Sequence, residues 1–330
     1  MRSFRVLLAV CACALVTCVT WISPANAEPQ ALGFGVERFY PSSPGAGWFV
    51  LDSLDMHGGL GGVMGLTLGY AHNPLVIDHS GQHLAVVANQ AMANFGFAVT
   101  YDRFRLSTNF NVPLVIKGHD GTALGAQFTA PAVDLARTPD VMADARIGFD
   151  ARLVGDEKSA FRLGTGVAVF VPNGERENYQ TDGSYRAMWR VLFAGDAGGA
   201  NNQGLFTYAG HLGVHLRPLD DASTPESPRG SELLFAAGGG VRLPFNGGAH
   251  MLVIGPEVFG ASAFRALLGQ RTTALEGLVS GRIEGTADDG AQVRFKLGAG
   301  AGLDPHFGAP AFRMIFGIEV FDRGNRHRFK

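Results

Sequence analysis

The sequence predicts an all-β fold, an antiparallel transmembrane β-barrel of about 12 strands. Three observations carry that expectation: two-residue hydrophobic alternation repeated along the chain, segments long enough to cross a bilayer, and connections that alternate short and long. Composition agrees. Of 330 residues, 46% are hydrophobic, 17% are charged and 46 are glycine. Each glycine costs about 1 kcal/mol in a helix interior, so such usage disfavours a helical protein. The apolar content is too high for a disordered chain. The 27 basic and 29 acidic residues leave no basic footprint, so no nucleic-acid partner is expected.

Residues 1–27 read as an export signal peptide. Arg2 and Arg5 form a positive start, Val6–Ile22 carries no charge, and Ala25-Asn26-Ala27 is an A-x-A cleavage site. An uncleaved anchor is the alternative, and Thr17 before Cys18 argues against a lipoprotein. Cys11, Cys13 and Cys18 all lie in this segment. The mature chain then lacks cysteine, which excludes disulfides, cysteine-ligated zinc and a cysteine nucleophile. No later stretch approaches the 18 or so apolar residues of a membrane helix. Residues 28–58 form an N-terminal periplasmic segment. In it, Trp48-Phe49-Val50-Leu51 is either a short strand or a stretch that enters the barrel from below and partly occludes it.

Strand-like alternation then recurs at 60–72, 84–101, 104–116, 140–154, 160–172, 186–197, 204–217, 231–243, 249–264, 273–285, 291–303 and 311–322. In the last of these, Phe312, Met314, Phe316, Ile318 and Val320 share one face, and Arg313, Ile315, Gly317 and Glu319 the other. A tilted membrane strand needs about 9–11 residues, whereas soluble strands are usually about 5–6. Connections after even-numbered strands are short: Asp102-Arg103, 155–159, 198–203, 244–248 and 286–290. Those after odd-numbered strands are mostly longer, at 73–83, 117–139, 173–185, 218–230, 265–272 and 304–310. An even strand number with this asymmetry is the plan of outer-membrane barrels, and it places both chain ends on the short-turn, periplasmic side. A closed barrel over 59–322 pairs every backbone group internally, as hydrocarbon requires. The alternative, a soluble β-sandwich or solenoid, predicts shorter strands. Residues 323–330 read as a basic, solvated periplasmic tail.

Several stretches resemble the amino-terminal barrel of OmpA-family outer-membrane proteins of myxobacteria and related deltaproteobacteria. They are Val36-Glu37-Arg38-Phe39, Leu68–Val76, Tyr101–Phe104 running on to Val112-Pro113, Val171–Gly174, Ile254–Glu257, Thr272–Glu276, and Gly298–Gly302 leading into Gly308–Arg313. The resemblance implies a secreted, membrane-inserted barrel, with outer-membrane lipid and the barrel-assembly machinery as partners. The family's peptidoglycan-binding domain has no counterpart up to Lys330, so cell-wall tethering is not carried over.

Arg or Lys facing lipid at mid-membrane costs about 2–4 kcal/mol, so the charges on these strands are assigned to the lumen. The lumen-lining candidates are Arg105, Asp144, Arg146, Asp150, Arg152, Arg162, Arg190, His211, His215, Arg217, Glu276, Arg282, Glu284, Arg294, Lys296, Arg313 and Glu319, with Glu232 and Arg242 beside them. His211 and His215 share a strand face about 13 Å apart, too far for one metal. Gly238-Gly239-Gly240 reads as a site of strand curvature, and Asp288-Asp289-Gly290 as a hairpin turn before a calcium site. No H-E-x-x-H, G-x-S-x-G or P-loop is present, so neither catalysis nor a cofactor is expected. The alternating charges suit either a salt-bridged plug or a weakly selective pore, which excess arginine would tilt toward anions. The resulting expectation is a passive, porin-like channel for small solutes in the outer membrane of a Gram-negative bacterium. The alternative is a non-conducting structural or adhesion barrel with 117–139 as its contact loop.

Overall fold

Hydrogen bonding between the first and last of the alternating segments closes the sheet on itself. The computed structural model describes residues 30–56, 59–137, 139, 141–157, 159–198, 205–219, 230–269, 272–285, 291–304 and 308–322. In chain order the strands are β1 (Leu60–His79), β2 (Gln82–Tyr101), β3 (Phe104–Lys117), β4 (Gly121–Ala123), β5 (Ala126–Phe128), β6 (Ala132–Asp134), β7 (Ala145–Val154) and β8 (Arg162–Val171). They continue with β9 (Arg186–Ala197), β10 (Phe206–Leu216), β11 (Glu232–Phe245), β12 (His250–Ala263), β13 (Thr273–Gly285), β14 (Ala291–Asp304) and β15 (Phe312–Asp322). Twelve of them form the wall. Each pairs antiparallel with its neighbours, β3 passes directly to β7, and β15 returns to β1 with Phe316 opposite Leu68.

The two-residue period sorts the side chains. On β15, Phe312, Met314, Phe316 and Val320 are exposed on the outside, while Arg313, Ile315, Glu319 and Phe321 are buried within. Phe95, Phe97 and Val99 on β2, Val167 and Val169 on β8, and Phe295 and Leu297 on β14 continue the apolar exterior. An edgeless apolar wall with charges inside is a surface made for hydrocarbon.

Three features depart from the sequence reading. Residues 73–83 are not a loop: β1 and β2 continue to a tight turn at Ser80-Gly81, whose φ values of 50° and 80° suit the type I′ hairpin that glycine favours. A bulge at Asn73 (φ 54°) shifts the β1–β2 register where β1 parts from β15. The 117–139 connection is also structured, with β4 and β5 as a hairpin and β6 added to β3, and β7 starts at Ala145 rather than 140. The signal at 1–27, the turn at 288–290 and the tail at 323–330 lie outside the described residues.

The third departure matters most. Residues 30–56 run through the barrel from its long-loop end to its short-turn end. The Ala31 amide donates to Gln127 O (2.8 Å) and the Val36 amide to Tyr179 O (3.1 Å), both acceptors lying in long connections. At the other end, Arg152 donates to Leu54 O (3.0 Å) and Met56 O (2.9 Å). The segment therefore enters from above and not from below, and Gln30 lies opposite the end expected for the chain start. Trp48–Leu51 is not a strand. Its apolar side chains explain the placement, because only the interior gives them partners. Trp48, Phe49, Leu51, Leu54 and Met56 pack with Leu192, Val253, Phe259, Leu278 and Ile315 of the wall. Above them, Phe34 and Val36 pack with Leu75, Ile77, Val86, Ile116 and Phe128 of the extended hairpin and the structured connection. Full burial of each such side chain contributes about 1.5–3 kcal/mol. Inward glycines make the room. A β-carbon at Gly96 would lie 2.5 Å from Pro44 Cγ, and one at Gly238 would lie 2.6 Å from Leu51 Cδ1.

This direction of travel is testable, because the mature chain expected from the sequence lacks cysteine. A Gln30→Cys variant is expected to react with a membrane-impermeant maleimide on intact cells. Arg103→Cys, in a short turn, is expected to react only after permeabilisation. Labelling of Arg103→Cys but not Gln30→Cys would reverse the assignment.

Candidate functional site

The interior chemistry is organised by the threaded segment. Sixteen of the seventeen candidates are buried and Glu284 is nearly so, and among the described residues most are committed to partners. Arg105 meets Asp52 of the segment at 2.5 Å and Asp150 at 3.7 Å, and Arg190 meets Asp150 at 3.5 Å. Ser43 bridges Ser107 and Asp150, at 3.1 Å each. Arg162 pairs with Asp196 at 3.0 Å. Arg294 lies between Glu284 (2.6 Å) and Glu319 (2.9 Å), Lys296 joins Glu319 at 2.6 Å, and Arg282 approaches Glu284 at 3.7 Å. Arg313 binds Glu276 at 2.5 Å and Glu37 of the segment at 2.9 Å. His215 faces Tyr40 of the segment (3.4 Å), and His211 is buried four residues away on the same face of β10.

The same cations also cap the segment's aromatic rings. Arg313 sits over Phe39 (4.9 Å), Arg282 over Trp48 (4.7 Å) and Lys296 over Phe49 (5.2 Å). The arginine-rich face is thus mainly an anchoring surface for residues 30–56.

Sequence reasoning missed four anchors, Glu257, Arg38, Asp182 and Arg186. Glu257 is fully buried and accepts the Phe49 and Val50 amides (3.2 and 2.9 Å) and the Ser280 hydroxyl (2.6 Å). At the long-loop end a chain of pairs runs Arg38–Glu232 (2.8 Å), Glu232–Arg217 (2.7 Å), Arg217–Asp182 (2.6 Å) and Arg186–Asp144 (2.7 Å). Arg217 also donates to Gly35 O (3.1 Å), and the Gly35 amide donates to Asp182 (2.9 Å). Burial alone would raise the Asp182 carboxyl. The Arg217 charge and hydrogen bond, with Arg186 and the Gly35 amide, outweigh burial and hold it well below the ordinary carboxylate range.

Between Gly35–Pro41 and the inner wall, where β1, β2, β3, β7, β8, β9 and β15 contribute side chains, lies a half-enclosed cleft. Phe39, Tyr40, Met92 and Phe170 give it an apolar floor, and Gln90, Arg146 and Gln180 are among its polar groups.

No family model matches this chain, and no curated protein matches it in sequence. Among solved structures it is similar to an outer membrane channel from Pseudomonas putida F1, with 13% identity, a TM-score of 0.47, and coverage of 81% of this chain and 95% of that one. It is also similar to the NanC porin (8% identity, TM-score 0.44, coverage 78% and 98%) and to a Pseudomonas aeruginosa FadL homologue (6%, 0.39, 90% and 100%). The closed antiparallel barrel itself rests on the strand pairing described above.

Proposed function

We propose that this chain is an outer-membrane transport barrel whose passage is closed at rest by its own residues 30–56 and opens when that segment shifts. The closed wall with its apolar exterior and charged interior supports the location. The observation that carries the gated reading is the mixed attachment of the segment. Hydrogen bonds and ion pairs hold it through polar groups that water can replace, beside a cleft already open on one side.

A tether tests it. Ser43 and Ser107 hydroxyls stand 3.1 Å apart on segment and wall, so Ser43→Cys with Ser107→Cys can lock them together. Proteoliposomes holding the oxidised double variant are expected to lose small-solute flux, at least tenfold, and to regain it with reductant. The apolar packing around Trp48–Met56 favours a second reading, a permanently closed structural barrel. Absence of flux before and after reduction, with the unmodified protein equally inactive, would establish that reading instead.

A further inference from the structure

The charge pairing in the cleft is incomplete at one position. Arg186 is committed to Asp144, and Arg313 to Glu276 and Glu37. Arg146, 6% exposed, has no carboxylate within ion-pair distance among the described residues. Its Nη2 donates to Pro41 O and to Asn109 Oδ1 (2.8 Å). Asp150 is engaged by Arg105 and Arg190, so the Arg146 guanidinium hydrogen-bonds only to neutral oxygens and lacks a paired counter-ion, which an anion entering the cleft would supply. A second, independent observation lies on the same lining. Gln180 is 7% exposed with neither its side-chain oxygen nor its nitrogen partnered, and Gln90 is 3% exposed with its side-chain oxygen unpartnered. Buried amides without partners are costly and rare unless something else completes them. Phe39, Tyr40 and Phe170 supply aromatic surface between these polar groups.

We infer that the cleft is a binding site for a small amphiphilic carboxylate. Its carboxylate meets Arg146, its apolar body lies on the aromatic side chains, and a distal hydroxyl or similar group engages Gln90 and Gln180. As the loading site of the passage this rests on the gated reading above, but binding is measurable without flux.

The test is calorimetric titration of the full-length, detergent-solubilised protein with 4-hydroxybenzoate, benzoate and neutral 4-hydroxybenzyl alcohol. Saturable binding is expected in that order of decreasing affinity. Arg146→Gln is expected to weaken 4-hydroxybenzoate at least tenfold, with partial recovery in Arg146→Lys. Because Arg146 also steadies Pro41, Gln180→Leu provides the second variant: it removes an unpartnered group and should leave the fold intact. It is expected to reduce the preference for 4-hydroxybenzoate over benzoate, because only Gln90 remains to engage the hydroxyl. No saturable binding of either acid, equal affinity for the neutral alcohol, or an unchanged Gln180→Leu profile would overturn the inference. Binding that persists in a barrel without flux would overturn only the gated reading; flux without binding would overturn only this one.

Discussion

Replacing Glu257 by alanine is expected to release the lower half of the lumen segment. The carboxylate has no ion-pair partner among the described residues and spends its acceptors on the Phe49 and Val50 amides and the Ser280 hydroxyl. Without it, two backbone amides remain inside an apolar core, each at a cost of about 1–3 kcal/mol. The wall strands keep their own ladders, so the loss should fall on the segment rather than on the barrel. Hydrogen exchange at Phe49 and Val50 should accelerate at least tenfold, with wall amides unchanged. Glu257→Gln, which keeps one acceptor oxygen, should fall between. Equal protection in the alanine variant and the unmodified protein would show that apolar packing alone holds the segment.

Arg217→Met should act at the opposite end and on the whole barrel. The guanidinium is buried between Asp182 and Glu232 and also holds Gly35 O. Removing one member of such a buried network typically costs about 3–5 kcal/mol, because Asp182 and Glu232 lose their closest cation and keep only Arg186 (3.8 Å) and Arg38 (2.8 Å). The urea midpoint should drop, and exchange of the Val36 amide, bonded to Tyr179 O, should rise. Adding Glu232→Gln should recover part of the loss, which a double-mutant cycle would measure. The Asp182 carboxyl is held below its unfolded value, so its contribution is complete above about pH 4 and is lost only as pH falls through that depressed value. The outer anchor should therefore survive mildly acidic media.

The wall was readable because its cause is local. In 291–303 or 311–322 the alternation of apolar and charged residues states which face meets lipid, and the structure follows it within a residue or two. The interior was less readable because its cause is not local. On β12 the inward face carries Val253 and Phe259 and the outward face Ile254 and Val258, so alternation gave Glu257 no side. Only the threaded segment makes an apolar inward face sensible. Asp182 and Arg186 sat in or next to an expected loop, and Arg38 and Asp52 in a stretch without period, so nothing in spacing joined them to Arg217 or Arg105. The apolar content of 48–56 was the one visible signal that the segment needed an interior. The glycines have a similar history: at Gly238 they read as curvature, whereas the structure shows clearance for Leu51.

On the gated reading, residues 30–56 close the lumen and their release opens it. Single-channel recording of the unmodified protein beside Glu257→Ala, in planar bilayers of the same lipid, measures this directly. The account predicts a mostly silent unmodified barrel with brief openings, and long openings of the same unit size in the variant. A steady, identical conductance in both would mean that solutes pass around a segment that does not gate, and would contradict it.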